Sequence, residues 1–188
     1  ADKTILYIGT TCPFSQRVAI ALKEAGIEHE TVLIDLSNKP AWLLPSDPIK
    51  RAQTRFIVEY YWTKIALVWF GHFHNFKNAD LAKYGDSLNA AYARLNELLL
   101  EQAPSGPYFL GSQYSLADVF IAPFSSRLET SHKAFLKGFQ IDAINKYPRV
   151  QEFLKGITDR PTFKETYPGD DLIIETFQRA WKIVPSAV

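Results

Sequence analysis

The first 35 residues carry two kinds of hydrophobic pattern. Residues 4–8 form an apolar run without polar alternation, which is typical of a buried parallel strand. From Pro13 onward apolar residues recur at helical spacing as far as Gly26, and proline at the start and glycine at the end favour a helix between them. A β-branched run follows at residues 30–35. Together these segments predict one right-handed βαβ unit.

The chain beyond residue 42 predicts helices only. Asp47 followed by Pro48 is a cap and first-turn pair that opens a long helix, and residues 81–98 repeat apolar positions at intervals of three and four, which predicts a second long helix. The run SLAD at 115–118 is a capping box for a third. Two later helices are expected around residues 148–156 and 170–182. The aromatic face of the first long helix comprises Phe56, Tyr60, Trp62, Trp69, Phe70 and Phe73.

Composition narrows the class of protein. The 188 residues are 47% hydrophobic and 22% charged, so the chain can bury a core as one large domain or two small ones. Lys and Arg number 21 against 20 Asp and Glu, and the basic residues are scattered, so a nucleic-acid partner is not expected. No apolar stretch reaches 18 residues and no secretory signal is seen, so neither a membrane partner nor secretion is expected. We therefore expect a cytoplasmic protein.

The single cysteine, Cys12, is the strongest chemical candidate. It lies between the first predicted strand and the first predicted helix, where free backbone N–H groups and the helix dipole favour a thiolate. Thiols at such positions titrate at roughly 3.5 to 7.5 rather than about 8.5. The alternative is a small buried apolar residue. Ser15 stands where a resolving cysteine would be, so a second thiol molecule must release any mixed disulfide formed at Cys12.

Several short runs give the chain a family resemblance. Residues 11–18 read TCPFSQRV and residues 38–42 read NKPAW, and this pairing resembles the cysteine-type glutathione transferases: the omega class, plant dehydroascorbate reductases and fungal relatives. The runs FLG at 109–111, SLAD at 115–118, AP at 122–123 and RP at 160–161 resemble the helical domain of that family. The resemblance implies a two-domain fold with a thioredoxin-like α/β domain at residues 1–44 and an all-helical domain at residues 45–188.

The resemblance also implies roles for individual residues. Cys12 is the expected catalytic residue and faces the glutathione sulfur, Pro13 and Phe14 lie against the tripeptide, and Lys39 reaches its glycine carboxylate. Glutathione is the expected co-substrate, without a metal. A solvated surface lysine is the alternative for Lys39.

One departure from the family pattern is large. In the family, the KPxW run leads into two more strands and a helix that hold the γ-glutamyl end of glutathione, whereas here residues 43 and 44 lead directly to Pro45. Either the N-terminal domain is shortened or the sequence omits a segment. The absence of methionine favours omission. An N-terminal sheet of two strands is expected to be too small to be stable alone.

The second substrate is expected on the helical domain. The candidates for its pocket are Tyr60, Tyr61, Trp69, His72 and Trp181, although dense aromatic side chains on a long helix are more often simple core. The pair His72 and His74 points to different faces of a helix, so no metal site is expected there.

These observations leave more than one function open. The first is glutathione-dependent thiol transfer through a mixed disulfide at Cys12, acting on a small electrophilic or disulfide substrate. The others are a non-catalytic scaffold or ligand carrier, and an enzyme of secondary metabolism that adds or removes glutathione. A homodimer is expected from the resemblance and from the frequency of two-fold pairs; the competing expectation is a monomer that has lost part of the interface.

Overall fold

The computed structural model describes residues 4–8, 19–20, 22–33 and 44–184. The chain divides into two compact units, Ala1–Leu43 and Leu44–Val188. The first unit contains two strands and helical residues, and the second is built from helices. The predicted fold class, a small α/β domain followed by an all-helical domain, is confirmed.

The N-terminal unit contains a parallel pair of strands. Strands β1 (Thr4–Ile8) and β2 (His29–Leu33) pair in register from Thr4 opposite His29 to Ile8 opposite Leu33. Helical residues lie between the strands at 19–20 and 22–24. Gly26 ends them at a φ of 65°, a left-handed conformation that glycine adopts without steric strain. The amide of Gly26 donates to the Lys23 carbonyl and the amide of Ile27 to that of Leu22, which is a Schellman motif.

The burial predicted for β1 is wrong. Ile5 and Tyr7 on β1 are 46% and 62% exposed, and Leu33 on β2 is 64% exposed. A parallel strand is buried on both faces only when neighbouring strands and helices cover it. The described part of the sheet has two strands, which is too few to create a covered central strand.

The C-terminal unit contains eight α-helices among the described residues. They are α1 (Pro48–Tyr61), α2 (Leu67–His74), α3 (Leu81–Gln102), α4 (Leu116–Phe135), α5 (Asp142–Lys146), α6 (Pro148–Asp159), α7 (Pro161–Thr166) and α8 (Asp170–Trp181). A π-helical turn, Trp62–Ala66, joins α1 to α2, and a 3₁₀ turn, Phe76–Asn78, follows α2. The short helices α5 and α7 are not predicted from the sequence.

Helix α1 begins where the sequence predicts. The Asp47 carboxylate accepts hydrogen bonds from the amides of Ile49 at 2.7 Å and Lys50 at 3.3 Å, and Pro48 occupies the first turn, where its missing N–H is not needed. The single long helix expected from here is interrupted by the π-helical turn at Trp62–Ala66. Phe56, expected on its buried aromatic face, is 55% exposed.

Helix α3 runs through the centre of the helical unit. Its predicted apolar positions Tyr84, Leu88, Leu95 and Leu98 are buried in one core cluster with residues from the neighbouring helices. Leu81, the first residue of the predicted pattern, is 41% exposed because it lies at the end of the helix. The repeat therefore locates the core correctly except at its first residue.

Helix α4 begins at the predicted capping box. Asp118 is fully buried and accepts hydrogen bonds from the amides of Ser115 at 2.7 Å and Phe109 at 2.8 Å, and from the Ser115 hydroxyl at 2.9 Å. Burial raises the pKa of the Asp118 carboxyl, and these hydrogen bonds oppose the shift. The carboxylate thus fixes both the start of α4 and the loop that carries Phe109.

Helix α6 holds the loop between α3 and α4 in place. The buried guanidinium of Arg149 donates to the carbonyls of Ala103, Gly106 and Tyr108 at 3.2, 2.6 and 2.7 Å. About two turns later, Gly156 packs so close to Pro107 that a methyl group at this position would overlap the proline backbone. The loop and helix are therefore in direct backbone contact.

Candidate functional site

The predicted glutathione-binding residues lie outside the described residues. Cys12, Pro13, Phe14 and Lys39 fall in the intervals 9–18 and 34–43. The described residues on either side of the first interval are the end of β1 at Ile8 and the helical residues from 19 onward, so in sequence Cys12 lies between a strand and a helix. The placement of its thiol remains a prediction.

Two of the five predicted pocket residues lie in the core of the helical unit. Tyr61 and Trp69 are 0% and 1% exposed. The Tyr61 hydroxyl lies 3.4 Å from the Tyr92 hydroxyl, and the Trp69 indole N–H donates to the Ser131 hydroxyl at 2.9 Å. Burial raises the pKa of Tyr61 well above its usual value. Their polar atoms therefore face internal partners.

His72 is also a core residue. Its ring stacks on that of Tyr84 with centroids 4.1 Å apart, and burial lowers the pKa of its imidazole. His74 is exposed and its Nδ1 lies 2.8 Å from the Phe70 carbonyl. The two histidines therefore have different surroundings. Among residues 4–8, 19–20, 22–33 and 44–184, no cluster of three or more His, Cys, Asp or Glu side chains could hold a metal ion.

Tyr60 and Trp181 keep part of their surface exposed. The Tyr60 hydroxyl donates to the Ala91 carbonyl at 2.8 Å, and partial burial raises the pKa of this hydroxyl. Trp181, at the end of α8, stacks on Phe177 with centroids 4.1 Å apart and on Phe73 at 4.8 Å, and it meets Trp69 edge-on at 5.9 Å. Trp181 thus covers the core residues Trp69 and Phe73.

A half-buried group of aromatic side chains extends from Trp181 across the unit. We define the aromatic patch as Trp62, Phe70, Phe120, Phe124 and Trp181. Trp62 meets Phe70, Phe120 and Phe124 at centroid distances of 6.1, 6.5 and 5.6 Å, and Phe70 meets Trp181 at 6.4 Å, all in edge-to-face geometry. Rings whose edges and faces are both partly exposed can bind a planar apolar ligand.

The sequence analysis places Trp62 and Phe70 on the aromatic face of the first long helix, and it assigns Phe120 and Phe124 to no site. The signal that could have found the last two is their i, i+4 spacing on α4, which places both rings on one helix face.

The helical unit supplies apolar surface and no thiol. Since Cys12 is the single cysteine of the chain, any cysteine chemistry must come from the N-terminal unit. No helix in the described part of the chain is long and apolar enough to cross a membrane.

Two family descriptions match the chain. "Glutathione S-transferase, C-terminal domain" matches residues 57–166, more than half of the chain, and "Glutathione S-transferase, N-terminal domain" matches residues 11–96. The second match extends past residue 43 as far as α3, and the helices that it includes belong to the C-terminal unit of the structure.

Known proteins resemble the chain at low identity over much of its length. Protein IN2-1 homolog B of rice, Oryza sativa subsp. indica, is 26% identical over 92% of this chain and 83% of its own. Glutathione S-transferase omega-1 of Sus scrofa is 26% identical over 63% of this chain and 64% of its own. The crystal structure of glutathione transferase Omega 2C from Trametes versicolor superimposes with a TM-score of 0.57 at 26% identity, covering 97% of this chain and all of that one.

The alignment with the rice protein is longer than the chain itself. It extends over 207 positions, whereas the chain has 188 residues. The rice protein therefore has residues that lack a counterpart in this chain.

Proposed function

Because the chain belongs to the glutathione S-transferase family, we propose that it is a glutathione-dependent thiol transferase that uses Cys12 as its nucleophile. The observation that supports this most is the position of the sole cysteine, four residues after the end of β1 and directly before Pro13. Thiolates at the start of a helix are stabilised by free backbone N–H groups. Omega-class glutathione transferases are among the proteins that the chain resembles.

The proposed reaction has two thiol–disulfide exchange steps. The Cys12 thiolate attacks the glutathione sulfur of a glutathionylated substrate, so that an S–S bond to Cys12 forms, the substrate S–S bond breaks, and the substrate leaves as a thiolate that takes up a proton. The thiolate of a second glutathione then attacks the mixed disulfide, which yields oxidised glutathione and restores the Cys12 thiolate. Ser15 cannot resolve the mixed disulfide because a hydroxyl does not form a disulfide bond.

Other residues bind the two substrates. We assign Pro13 and Phe14 to the glutathione backbone and Lys39 to its glycine carboxylate. On the helical unit, we assign the aromatic patch, together with Tyr60, to an apolar second substrate. Tyr61, Trp69 and His72 support that surface from the core, where their contacts with Tyr92, Ser131 and Tyr84 fix the rings.

We also propose a cytoplasmic homodimer whose N-terminal domain covers residues 1–44. Supporting arguments are the single cysteine, which suits a reducing compartment, and the frequency of two-fold pairs among oligomers. Light scattering at micromolar concentration tests the assembly, because a species near 21.4 kDa would contradict the dimer.

A second candidate is a non-catalytic scaffold or ligand carrier. It is favoured by the exposed apolar residues of β1 and β2, which fit an N-terminal domain that has lost strands. A secondary-metabolism enzyme that adds or removes glutathione uses the same Cys12 and differs only in its substrate.

The reactivity of Cys12 separates the enzyme from the scaffold. Because the chain has one cysteine, the rate of iodoacetamide alkylation measured against pH reports on Cys12 alone. We expect a midpoint below about 7.5 and loss of mixed-disulfide reduction in Cys12→Ala, with Ser15→Ala as the matched control that keeps activity. A midpoint near the ordinary thiol value, or activity retained in Cys12→Ala, would contradict the proposal.

A further inference from the structure

Helix α8 carries Trp181, the residue at which the aromatic patch meets the core. Phe177 and Trp181 of this helix meet Trp69 edge-on at centroid distances of 5.8 and 5.9 Å. Trp181 also stacks on Phe73 at 4.8 Å. Trp69 and Phe73 belong to α2 and are buried. The position of α8 therefore decides how much of these two rings a ligand can reach.

The first residue of α8 belongs to a hydrogen-bonded group that includes α4. We define the Asp170 clasp as Thr130, Tyr167 and Asp170. Asp170 Oδ1 accepts hydrogen bonds from the Thr130 hydroxyl and the Tyr167 hydroxyl, each at 2.5 Å, and the two hydroxyl oxygens lie 3.1 Å apart. Thr130 is buried on α4, whereas Tyr167 lies between α7 and α8. The Asp170 clasp therefore joins the start of α8, and the segment before it, to α4.

The charge of the carboxylate strengthens the Asp170 clasp. The hydrogen bonds from Thr130 and Tyr167 lower the pKa of the Asp170 carboxyl, and partial burial opposes this shift. The nearby Lys133 ammonium, which pairs with Glu129 at 2.7 Å, lowers this pKa further. Hydrogen bonds to an ionised acceptor are roughly twice as strong as those between neutral groups. The two hydroxyls therefore bind an ionised carboxylate near pH 7.

Packing at the junction before α8 does not fix the direction of the helix. Gly169 precedes α8 with a φ of 89°, and nothing lies within 4 Å of the position that a Cβ would take there. The side chains of Thr176 and Arg179 bond to residues of α8 itself. The direction of α8 therefore depends on the Asp170 clasp at its start and on the ring contacts of Phe177 and Trp181 further along.

The length of α8 amplifies any movement at its start. At 1.5 Å per residue, Trp181 lies about 16 Å along the helix axis from Asp170. A tilt of about 13° at the Asp170 clasp would displace the Trp181 ring by about 3.6 Å, which is close to the contact distance between packed carbon atoms. A displacement of this size is enough to separate the stacked rings of Trp181 and Phe73.

We propose that Asp170 is a positioning residue for Trp181. By fixing the start of α8 on α4, its carboxylate sets how closely the Trp181 ring covers Phe73 and Trp69, and with it the depth of the aromatic patch. The use of this patch by a second substrate rests on the proposed function, whereas the position of α8 does not.

The chain offers a clean substitution and a matched control. In Asp170→Ala the Thr130 hydroxyl keeps an acceptor, because it also lies 3.0 Å from the Ser126 carbonyl. Tyr167 is partly exposed, so its hydroxyl can bond to water. Asp171 is exposed and lies in the same first turn of α8, so Asp171→Ala removes an equal charge beside the helix N-terminus and leaves the Asp170 clasp intact.

Amide hydrogen exchange on the full chain tests how α8 is held. We expect the amides of residues 174–181 to exchange at least about tenfold faster in Asp170→Ala than in the unchanged chain. Asp170→Asn, whose amide oxygen can accept the same two hydrogen bonds, is expected to restore most of the protection. Asp171→Ala keeps the original rates, as do residues 88–99 of α3 in every variant. Unchanged α8 exchange in Asp170→Ala, an equal increase in Asp171→Ala, or an equal increase in α3 would overturn the proposal.

Binding of the uncharged fluorescent dye N-phenyl-1-naphthylamine tests whether Asp170 acts through Trp181. We expect Asp170→Ala and Trp181→Ala each to weaken dye binding about fivefold, and the double variant to bind no more weakly than Trp181→Ala alone. Losses that add in the double variant would refute the positioning role. If the unchanged chain does not bind the dye, or if Trp181→Ala binds it equally well, the aromatic patch of the proposed function fails as an apolar site, and the exchange rates of α8 decide the role of Asp170.

Discussion

The two units of the chain bury their side chains to very different extents. In the helical unit, Ile57, Tyr61, Leu88 and Leu95 are fully buried, and in the described part of the chain every buried side-chain nitrogen or oxygen has a hydrogen-bond partner. In the N-terminal unit, Ile5 and Tyr7 of β1 and Leu33 of β2 are 46%, 62% and 64% exposed. We therefore expect the helical unit to provide most of the stability of the chain and the N-terminal unit to provide the proposed chemistry.

The largest expected effect comes from the same substitution made in each unit. Leu95→Ala removes a fully buried side chain of α3 and is expected to lower the free energy of unfolding by about 3–4 kcal/mol. Leu33→Ala, at a 64% exposed position of β2, is expected to change it by less than about 0.5 kcal/mol. Urea unfolding followed by circular dichroism measures both. Similar losses in the two variants would mean that β2 is covered, and the comparison would fail.

The second-largest expected effect is a pH dependence of the free energy of unfolding that arises in the helical unit. Burial lowers the pKa of His132 from 6.5 to about 4, so between these values the unfolded chain binds more protons than the folded chain. The free energy of unfolding therefore falls as the pH drops from about 6.5 to about 4, by about 3 kcal/mol in total.

Substitutions identify the group responsible for this pH dependence. We expect His132→Gln to flatten the slope of unfolding free energy between pH 7 and 5, with a smaller part remaining from His72, whose pKa is also lowered by burial. His74→Gln, at an exposed position, serves as the control and keeps the slope. A slope unchanged in His132→Gln would show that this imidazole is not the titrating group.

The smallest of these effects tests how tightly the helical unit is packed. Gly156→Ala brings a methyl group into the backbone of Pro107 and is expected to lower the free energy of unfolding by about 2 kcal/mol. Gly71→Ala on α2, where nothing lies within 4 Å of the added methyl group, is expected to raise it by up to about 1 kcal/mol because alanine favours a helix. Thermal unfolding of both variants gives the answer, and a stabilised Gly156→Ala would contradict the close contact between α6 and the loop.

Local chemistry made part of the fold predictable. Asp47 with Pro48, Ser115 with Asp118, and Gly26 each fix an element boundary through hydrogen bonds or backbone conformation within a few residues. The exposure of β1 could not be predicted in this way, because it depends on how many strands lie beside it. The π-helical turn at Trp62–Ala66 has no local sequence signal that we can identify.

The candidate site was predictable only to the level of residue type. The sequence shows that Tyr60, Tyr61, Trp69 and Trp181 are aromatic, but not that Tyr61 and Trp69 are enclosed while the other two are half-exposed. That difference depends on α3, α4 and α8, which pack against the first helix from distant parts of the chain. The partial exposure of Phe120 and Phe124 could not be predicted for the same reason.

The π-helical turn has a consequence for the rotational phase of the two helices that it joins. An α-helix rotates by about 100° per residue, and a π-helical turn holds more residues in one turn than an α-helical one. The turn therefore shifts the positions at which the helix meets its neighbours: Tyr60 and Tyr61 contact α3 at Ala91 and Tyr92 before it, and His72 contacts α3 at Tyr84 after it. Beyond the turn, Trp69 contacts Ser131 on α4 and Trp181 on α8. A relative that lacks one residue here would have to rebuild its aromatic face from other positions, so a single-residue gap in an alignment at Trp62–Ala66 marks a change in the surface offered to a ligand.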